Sequence, residues 1–178
     1  MRAVLDTCVI FPPVLRDVLL IVAARGLYQP LWSARILEEW ARAARRHGHE
    51  EMARELGQAM NAQFPSAMVP ERTGVEARLH LPDPDDVHVL ATAITGSADI
   101  IITVNASDFP QHLLRAEGVE RREPDGLLWE LWSHHPESVA EAVAQVHARS
   151  EAMAGGDLSL RGLLKRARLP RMAKALTA

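Results

Sequence analysis

The segment ADIIITVNASDF, at residues 98–109, constrains the fold more than any other part of the sequence. Residues 100–104 form an unbroken run of β-branched side chains, which is typical of a strand that is buried on both faces of a sheet. Residues 3–5 are a second short apolar run of the same kind. Close to these runs, the apolar residues of segments 13–25 and 85–95 recur at helical spacing. This alternation predicts an α/β fold of three layers, α/β/α, in which helices cover both faces of a mostly parallel central sheet.

The rest of the chain extends this pattern and indicates a boundary. A further helix is expected over residues 49–63, and a weaker strand is expected near residues 119–122. The sequence His-His-Pro at 134–136 interrupts the helical pattern, and the segments beyond it are helical. We therefore predict a domain of residues 1–134, followed by a helical C-terminal extension of residues 135–178.

The composition indicates a folded protein rather than a disordered one. Of the 178 residues, 48% are hydrophobic and 24% are charged, which is an ordinary globular balance. The single cysteine, Cys8, cannot form an internal disulfide, so no disulfide framework indicates secretion. Charged residues and prolines interrupt the apolar patches of residues 1–26, and we expect neither a signal peptide nor a membrane helix. The expected location is the cytoplasm, without membrane association.

The net charge of −3 hides an uneven distribution along the chain. Residues 157–178 contain six basic residues against one acidic residue, which gives +5 and leaves −8 for the remainder. The basic segment either meets an anionic partner or forms a solvated helical face. The only two lysines, Lys165 and Lys174, lie in this segment, so any chemistry in the main domain proceeds without a lysine.

Acidic residues are expected to converge at one edge of the sheet. Asp6 ends the first apolar strand, and Asp108 follows the second by one turn. If the helix over 85–95 runs back behind the sheet, Asp86 at its amino end lies at that same edge. Glu38 or Glu39 could add a fourth carboxylate. Carboxylates this close repel one another unless a cation neutralises them, and an all-oxygen set suits magnesium or manganese better than zinc. This arrangement fits metal-dependent hydrolysis of a phosphodiester.

Four short segments carry a resemblance to a known family. LDTCV at 5–9, ILEEW at 36–40, DDVHVLATA at 85–93 and TVNASDF at 103–109 resemble, in order and spacing, the four acidic motifs of PIN-domain ribonucleases. The resemblance is greatest to VapC-like toxins of type II toxin-antitoxin systems and covers about residues 1–132. It implies a PIN-like α/β/α domain that binds magnesium or manganese and hydrolyses RNA.

The resemblance also implies a set of catalytic metal ligands. Matched residue by residue, these are Asp6, Glu39, Asp86 and Asp108, with Glu38 as the alternative to Glu39. In the family, such carboxylates hold Mg²⁺ or Mn²⁺, which activates a water against an RNA phosphodiester. The implied partners are an RNA substrate, a cognate antitoxin protein and a second copy of the chain in a homodimer.

Further residues have supporting roles in this interpretation. The Thr7 hydroxyl is expected to orient water or ligand, and Thr103 and Asn105 match polar positions that border the family's site. A group of arginines near Glu39 is expected to guide RNA toward the carboxylates, because an acidic pocket needs positive neighbours to hold a phosphate backbone. These arginines are Arg35, Arg42, Arg45 and Arg46.

Simpler interpretations apply to several of the same features. Asp83 or Asp85 is expected to cap the helix that follows. Cys8 is interpreted as a small core residue, and His88 as an exposed residue or one that faces the substrate groove. The four tryptophans are interpreted as core or domain-contact anchors rather than base-stacking platforms.

Alternatives to a toxin ribonuclease remain open. One is a catalytically silent PIN-fold protein that binds RNA or a partner, and another is an RNA-processing nuclease that is not a toxin. The chain continues for roughly 45 residues beyond the point where small VapC-like toxins stop, and its region between residues 40 and 82 is longer than theirs, so substrate choice does not carry over. The basic C-terminal segment could bind RNA phosphates, dock on an antitoxin or a second copy, or be a solvated face. A P-loop NTPase is excluded, because the glycine loop and its lysine are missing.

Overall fold

The computed structural model of the protein describes residues 1–177 and contains a four-stranded, fully parallel sheet with the strand order β2-β1-β3-β4. The strands are β1 (Arg2–Leu5), β2 (Gln29–Leu31), β3 (Ile100–Ile102) and β4 (Glu120–Arg122). The helices are, in chain order, α1 (Thr7–Ile10), α2 (Pro13–Ala24), α3 (Ala34–Arg45), α4 (Glu50–Gln63), α5 (Thr73–Glu76), α6 (Val87–Thr95), α7 (Gln111–Ala116), α8 (Pro124–His134), α9 (Pro136–Ala154), α10 (Leu160–Arg166) and α11 (Pro170–Leu176). The predicted α/β/α class with a mostly parallel sheet and C-terminal helices is confirmed.

The two central strands, β1 and β3, are the apolar runs identified in the sequence. They pair directly, with Ala3 opposite Ile100 and Leu5 opposite Ile102. Val4 and Ile101 are 0% exposed, because strands in the middle of a parallel sheet are covered on both faces. Both strands end at the same edge, and this edge carries the site described below.

The strand β2 was not predicted from the sequence. It is only three residues long and contains Pro30, which lies opposite Ala3 in the register of β1. A proline cannot donate a ladder hydrogen bond and is tolerated at the edge of a sheet, and β2 is an edge strand. The predicted strand over residues 100–104 is also shorter in the structure, because β3 ends at Ile102.

The chain is divided into two compact units. The first comprises Met1–Phe11 and Tyr28–Arg122, and the second comprises Pro12–Leu27 and the chain from Glu123 onward. The first unit holds the whole sheet, and within it α6 packs against β1 and β3 while α3 packs against α4. The domain boundary at residue 134 stays a prediction.

Local sequence signals position the helices of the first unit. The Ser33 hydroxyl accepts a hydrogen bond from the Ile36 amide at 3.3 Å and so caps α3. A 3-10 turn, Pro84–Asp86, leads directly into α6, and the Asp83 carboxylate caps this turn by accepting from the Asp85 amide at 2.9 Å. Asp83 therefore has a capping role, as expected for Asp83 or Asp85, but it caps the 3-10 turn; the N-cap residue of α6 itself is Asp86, whose side chain makes no capping hydrogen bond.

Helices alone build the second unit, in which α9 packs on α2 and α8, and α11 packs on α8 and α10. The buried carboxylate of Asp125 on α8 accepts hydrogen bonds from the backbone amides of Arg171 at 2.8 Å and Met172 at 3.1 Å. It therefore satisfies free amides in the first turn of α11. Throughout residues 1–177, each helix is too short or too polar to cross a membrane.

Candidate metal centre

Asp6 lies at the carboxyl end of β1 and is 5% exposed. Although it occupies the N-cap position of α1, its side chain makes no capping hydrogen bond. Its Oδ2 atom instead accepts hydrogen bonds from the Thr103 hydroxyl at 2.6 Å and from the Cys8 thiol at 2.9 Å. Thr103 follows β3, so both central strands contribute to the orientation of this carboxylate.

The Cys8 thiol contributes to this network as a hydrogen-bond donor. Burial and the neighbouring negative charge of Asp6 raise the pKa of the thiol to about 12, which keeps the sulfur protonated at neutral pH. The sequence interpretation of Cys8 as a core residue did not include this contact. Thiolate chemistry of the kind found at reactive cysteines is disfavoured in this environment.

Three further aspartates approach one another at the same edge. One carboxylate oxygen from each of Asp83, Asp86 and Asp108 lies within 4.8 Å of the corresponding atoms of the other two. The side-chain amide of Asn105 donates to Oδ2 of Asp108 at 2.6 Å and to Oδ2 of Asp86 at 3.4 Å. Asn105 therefore links two residues that arrive from different parts of the chain.

Asp86 experiences the strongest electrostatic effect in the group. Burial, followed by the negative charges of Asp6, Asp83, Asp108 and Glu39, raises the pKa of its carboxyl from 3.8 to about 7. A half-buried carboxyl surrounded by four others favours its protonated form in the absence of a cation. Of the four carboxylates predicted as metal ligands, the structure thus groups Asp86 and Asp108 closely, together with Asp83. Asp6 and Glu39 lie outside this closest group, but their charges also act on Asp86.

The two adjacent glutamates of α3 have different surroundings. Oε2 of Glu39 accepts a hydrogen bond from the Thr7 hydroxyl at 3.3 Å, and Oε1 lies 3.7 Å from Nε of Arg35. Glu38 accepts instead from Arg42 at 3.2 Å and from Arg54 at 3.0 Å. Hydrogen bonds from Arg54 and Arg42 lower the pKa of Glu38 to about 2. Glu39 is therefore the glutamate whose charge acts on Asp86, and Glu38 belongs to a surface ion-pair network.

His88 is buried on α6 rather than exposed, with only 3% of its surface accessible, so the interpretation of His88 as an exposed residue is wrong. Its Nε2 atom lies 2.8 Å from Oε1 of Glu39. This is an ion-pair distance, and neither ring nitrogen makes a hydrogen bond within residues 1–177. The sequence signal for this burial was the largely apolar run VHVLATA that contains His88, and all seven of its residues are buried in α6.

Most of the arginines that were expected to guide RNA are already paired with carboxylates. Arg35 pairs with Glu76 at 2.9 Å, Arg42 with Glu38 at 3.2 Å, and Arg45 donates to Glu50 at 2.9 Å. Arg46 is exposed and has no ion pair with a carboxylate of the described chain. These partners lie up to 41 residues away in sequence, so spacing alone could not reveal them. Their RNA-binding role stays a prediction.

The donor set fits a hard divalent cation. All five acidic side chains offer carboxylate oxygens, the ligands that such cations prefer, and a cation would offset the repulsion that, together with burial, raises the pKa of Asp86. Asp83 was not predicted as a ligand from the sequence, because its capping role already accounted for it. In the structure, its Oδ1 atom caps the 3-10 turn while the same carboxyl group contributes an oxygen atom to the cluster.

Comparison with known protein families agrees with this geometry. The family model of the PIN domain matches residues 2–107, which is more than half of the chain and ends one residue before Asp108. No match was found among curated proteins or among solved structures. Proteins with PIN domains are generally metal-dependent nucleases, and the acidic cluster of Asp83, Asp86 and Asp108 could hold such a metal. The chain belongs to the PIN-domain family.

Proposed function

We propose that this protein is an endoribonuclease that uses Mg²⁺ or Mn²⁺ to hydrolyse RNA phosphodiester bonds. The cluster of carboxylates around Asp86 carries the proposal: oxygens of Asp83, Asp86 and Asp108 lie within 4.8 Å of one another, and burial together with the charges of four neighbouring carboxylates raises the pKa of Asp86 to about 7. A cluster with so much unneutralised charge is costly for a fold, and a divalent cation removes that cost. The PIN-domain assignment supports nuclease activity in general, and RNA as the substrate is part of the proposal.

In this proposal Asp6, Glu39, Asp86 and Asp108 hold the cation, and Asp83 is an additional ligand. When bound, a divalent cation polarises the phosphate and makes water more acidic. The chain holds the carboxylates in place through Thr103, which donates to Asp6 at 2.6 Å, and through Asn105, which donates to Asp108 at 2.6 Å.

Thr7 has the same supporting role for Glu39. Its hydroxyl lies 3.3 Å from Oε2 of Glu39 and 3.4 Å from the Ile36 carbonyl oxygen. Because Thr7 directly follows Asp6, this contact connects the end of β1 to α3. We propose that it fixes the side-chain rotamer of Glu39, since carboxylate ligands at metal sites are oriented by such partners.

The test is RNA cleavage by the purified full-length protein. We expect cleavage with Mg²⁺ or Mn²⁺, no cleavage in EDTA, and recovery when the cation is added back in excess. Absence of cleavage with every divalent cation, by a protein that remains folded, would contradict the proposal and favour a catalytically silent PIN-fold protein.

The two glutamates of α3 offer a matched pair of variants. Glu39→Gln removes the charge of a proposed ligand and is expected to lower the rate of cleavage by more than the roughly 10–100-fold that loss of a residue supporting a metal ligand costs. Glu38→Gln should leave the rate within about twofold, because its exposed ion pairs contribute little to the fold. Both rates would be measured at saturating cation, with melting temperatures as a check on folding. The reverse ranking would assign the ligand to Glu38.

We further propose that the nuclease is the toxin of a toxin-antitoxin pair, as the VapC-like motifs indicate. It would then act on cytoplasmic RNA, bind a cognate antitoxin and form a homodimer. A small reading frame directly upstream of the gene, encoding a DNA-binding protein, would support this assignment. Without such a neighbour, a nuclease that processes RNA in another context is favoured.

A further inference from the structure

The C-terminal helices carry a dense group of exposed cations. We call this group the basic face, and it consists of Arg161, Lys165, Arg166, Arg168, Arg171 and Lys174. All six residues are exposed. Among residues 1–177, no carboxylate forms an ion pair with any of their side chains. Their charge is therefore available to an external partner.

The arginines of α3 and α4 present the opposite situation. Arg42 and Arg54 both donate to Glu38, and Arg45 and Arg54 both donate to Glu50. A phosphate group would have to displace these carboxylates before it could bind. Because cations that are already paired release fewer counterions on contact with a polyanion, the basic face is the better candidate for binding one.

Each of the two helices carries a pair of exposed cations on one side. Arg161 and Lys165 are four residues apart on α10, and Arg171 and Lys174 are three residues apart on α11, so each pair shares one helix face. The apolar residues of the same helices are buried, among them Leu164 and Met172, each 0% exposed. The hydrogen bonds from the first turn of α11 to Asp125 hold this helix against α8. The cations thus project from a packed helical support.

Arg168 occupies a backbone conformation that usually selects glycine. It lies between α10 and α11 with a φ of 60°, in the left-handed region where a side chain is unfavourable. The Arg168 amide donates to the Lys165 carbonyl and the Leu169 amide to the Leu164 carbonyl, which is the Schellman pattern that commonly ends a helix at glycine. The chain keeps a cation here although glycine would fit the backbone better.

The helices α10 and α11 expose no large hydrophobic residue of their own. The exposed large hydrophobic residues of the described chain are Met1, Met52, Met68, Trp129 and Met153, and none of them lies on α10 or α11. Protein interfaces generally have an apolar or aromatic centre. Surfaces that bind nucleic acid are more polar and strongly positive. A basic face without an apolar anchor therefore favours a phosphate backbone over an acidic protein.

We propose that the basic face binds the phosphate backbone of single-stranded RNA, independently of sequence. This inference rests on the proposed ribonuclease function for the identity of the polyanion. It assigns to the C-terminal helices the task of holding substrate, which the paired arginines near the carboxylates are poorly suited to perform.

The experiment measures binding without cleavage. A fluorescently labelled single-stranded RNA is titrated with the full-length protein in EDTA, and the affinity is followed between about 50 and 200 mM salt. In Arg161→Gln/Lys165→Gln/Lys174→Gln, the slope of log affinity against log salt should become shallower by about 2, since each lost phosphate contact on a single strand removes about 0.7. The matched control Arg161→Lys/Lys165→Arg/Lys174→Arg keeps the charges and should keep the wild-type slope.

A second variant separates charge from folding. Arg168→Gly removes one cation and relieves the left-handed backbone, so its melting temperature should equal or exceed that of the wild type while its slope becomes shallower by about 0.7.

Wild-type slopes in both the triple variant and Arg168→Gly would overturn the proposal. Equal competition by polyglutamate at matched charge would also overturn it, in favour of an acidic protein partner. If RNA binds in EDTA but is never cleaved with a cation, only the ribonuclease function is refuted. If RNA is cleaved but these variants do not change the salt dependence of binding, only the role of the basic face is refuted.

Discussion

Asp6→Asn and Asp86→Asn are each expected to abolish RNA cleavage without destabilising the metal-free protein. The loss should exceed the roughly 10–100-fold that removal of a supporting residue costs at metal sites, because each variant removes a charged ligand. At position 6, asparagine keeps an oxygen that can accept the 2.6 Å hydrogen bond from the Thr103 hydroxyl. At either position it removes one negative charge from a cluster that repels itself, so folding should be unaffected or improved.

Opposite changes in activity and stability distinguish this site from a structural one. A residue that only supports the fold would lose both activity and melting temperature when replaced. The matched control is Asp157→Asn, which makes the same chemical change at an exposed aspartate outside the cluster and should leave cleavage unchanged. Full cleavage by Asp6→Asn or Asp86→Asn at saturating cation would remove that residue from the proposed ligand set.

The sequence was sufficient to predict the elements that depend on apolar pattern. The buried runs at β1 and β3 and the helical stripes of α2 and α6 follow from periodicities that the local sequence contains. The strand β2 could not be found in this way, because a three-residue segment with a proline has no strand period. Its place depends on pairing with β1, and the paired residues of the two strands are 27 positions apart in the sequence.

The candidate site was predictable in outline because strand order determines where strand ends meet. Asp6 and Asp108 follow two strands that pair with each other, and parallel pairing brings their carboxyl ends to one edge. The choice between Glu38 and Glu39 depends instead on the rotation of α3, since adjacent helical residues point about 100° apart. Only the packed structure determines which of them contacts Thr7.

The sequence did not reveal which charged side chains contact one another in the fold. Arg35 pairs with Glu76, and His88 approaches Glu39, across distances that no local pattern encodes. The positively charged residues around an acidic site therefore could not be divided into paired and available ones before the fold was known. That division favours the basic face over the paired arginines of α3 as the proposed contact with RNA.

The metal-free protein is expected to show a pH dependence that originates at Asp86. In the unfolded chain this carboxyl has its ordinary pKa of 3.8, and in the fold the pKa is about 7. Between these values the folded state binds more protons than the unfolded state, so this group lowers stability as the pH rises from about 4 to about 7 and has a constant effect above that. Asp86→Asn removes the dependence. Because the carboxyl is only half-buried and water screens part of the repulsion, the variant should gain on the order of 1 kcal/mol above pH 7.

Melting temperatures of wild type and Asp86→Asn, measured in EDTA across this range, test the sign directly. The advantage of the variant should grow with pH and level off above pH 7, while an advantage that does not change with pH would contradict the burial and repulsion assigned to Asp86. Added Mg²⁺ or Mn²⁺ should then stabilise the wild type strongly above pH 7 and weakly near pH 5, because a cation must displace the proton from Asp86 before it binds. Below the pKa, each pH unit should weaken cation binding about tenfold. At neutral pH, the ionised carboxyl of Asp86 therefore destabilises the metal-free fold and, by binding the cation, stabilises the metal-bound fold.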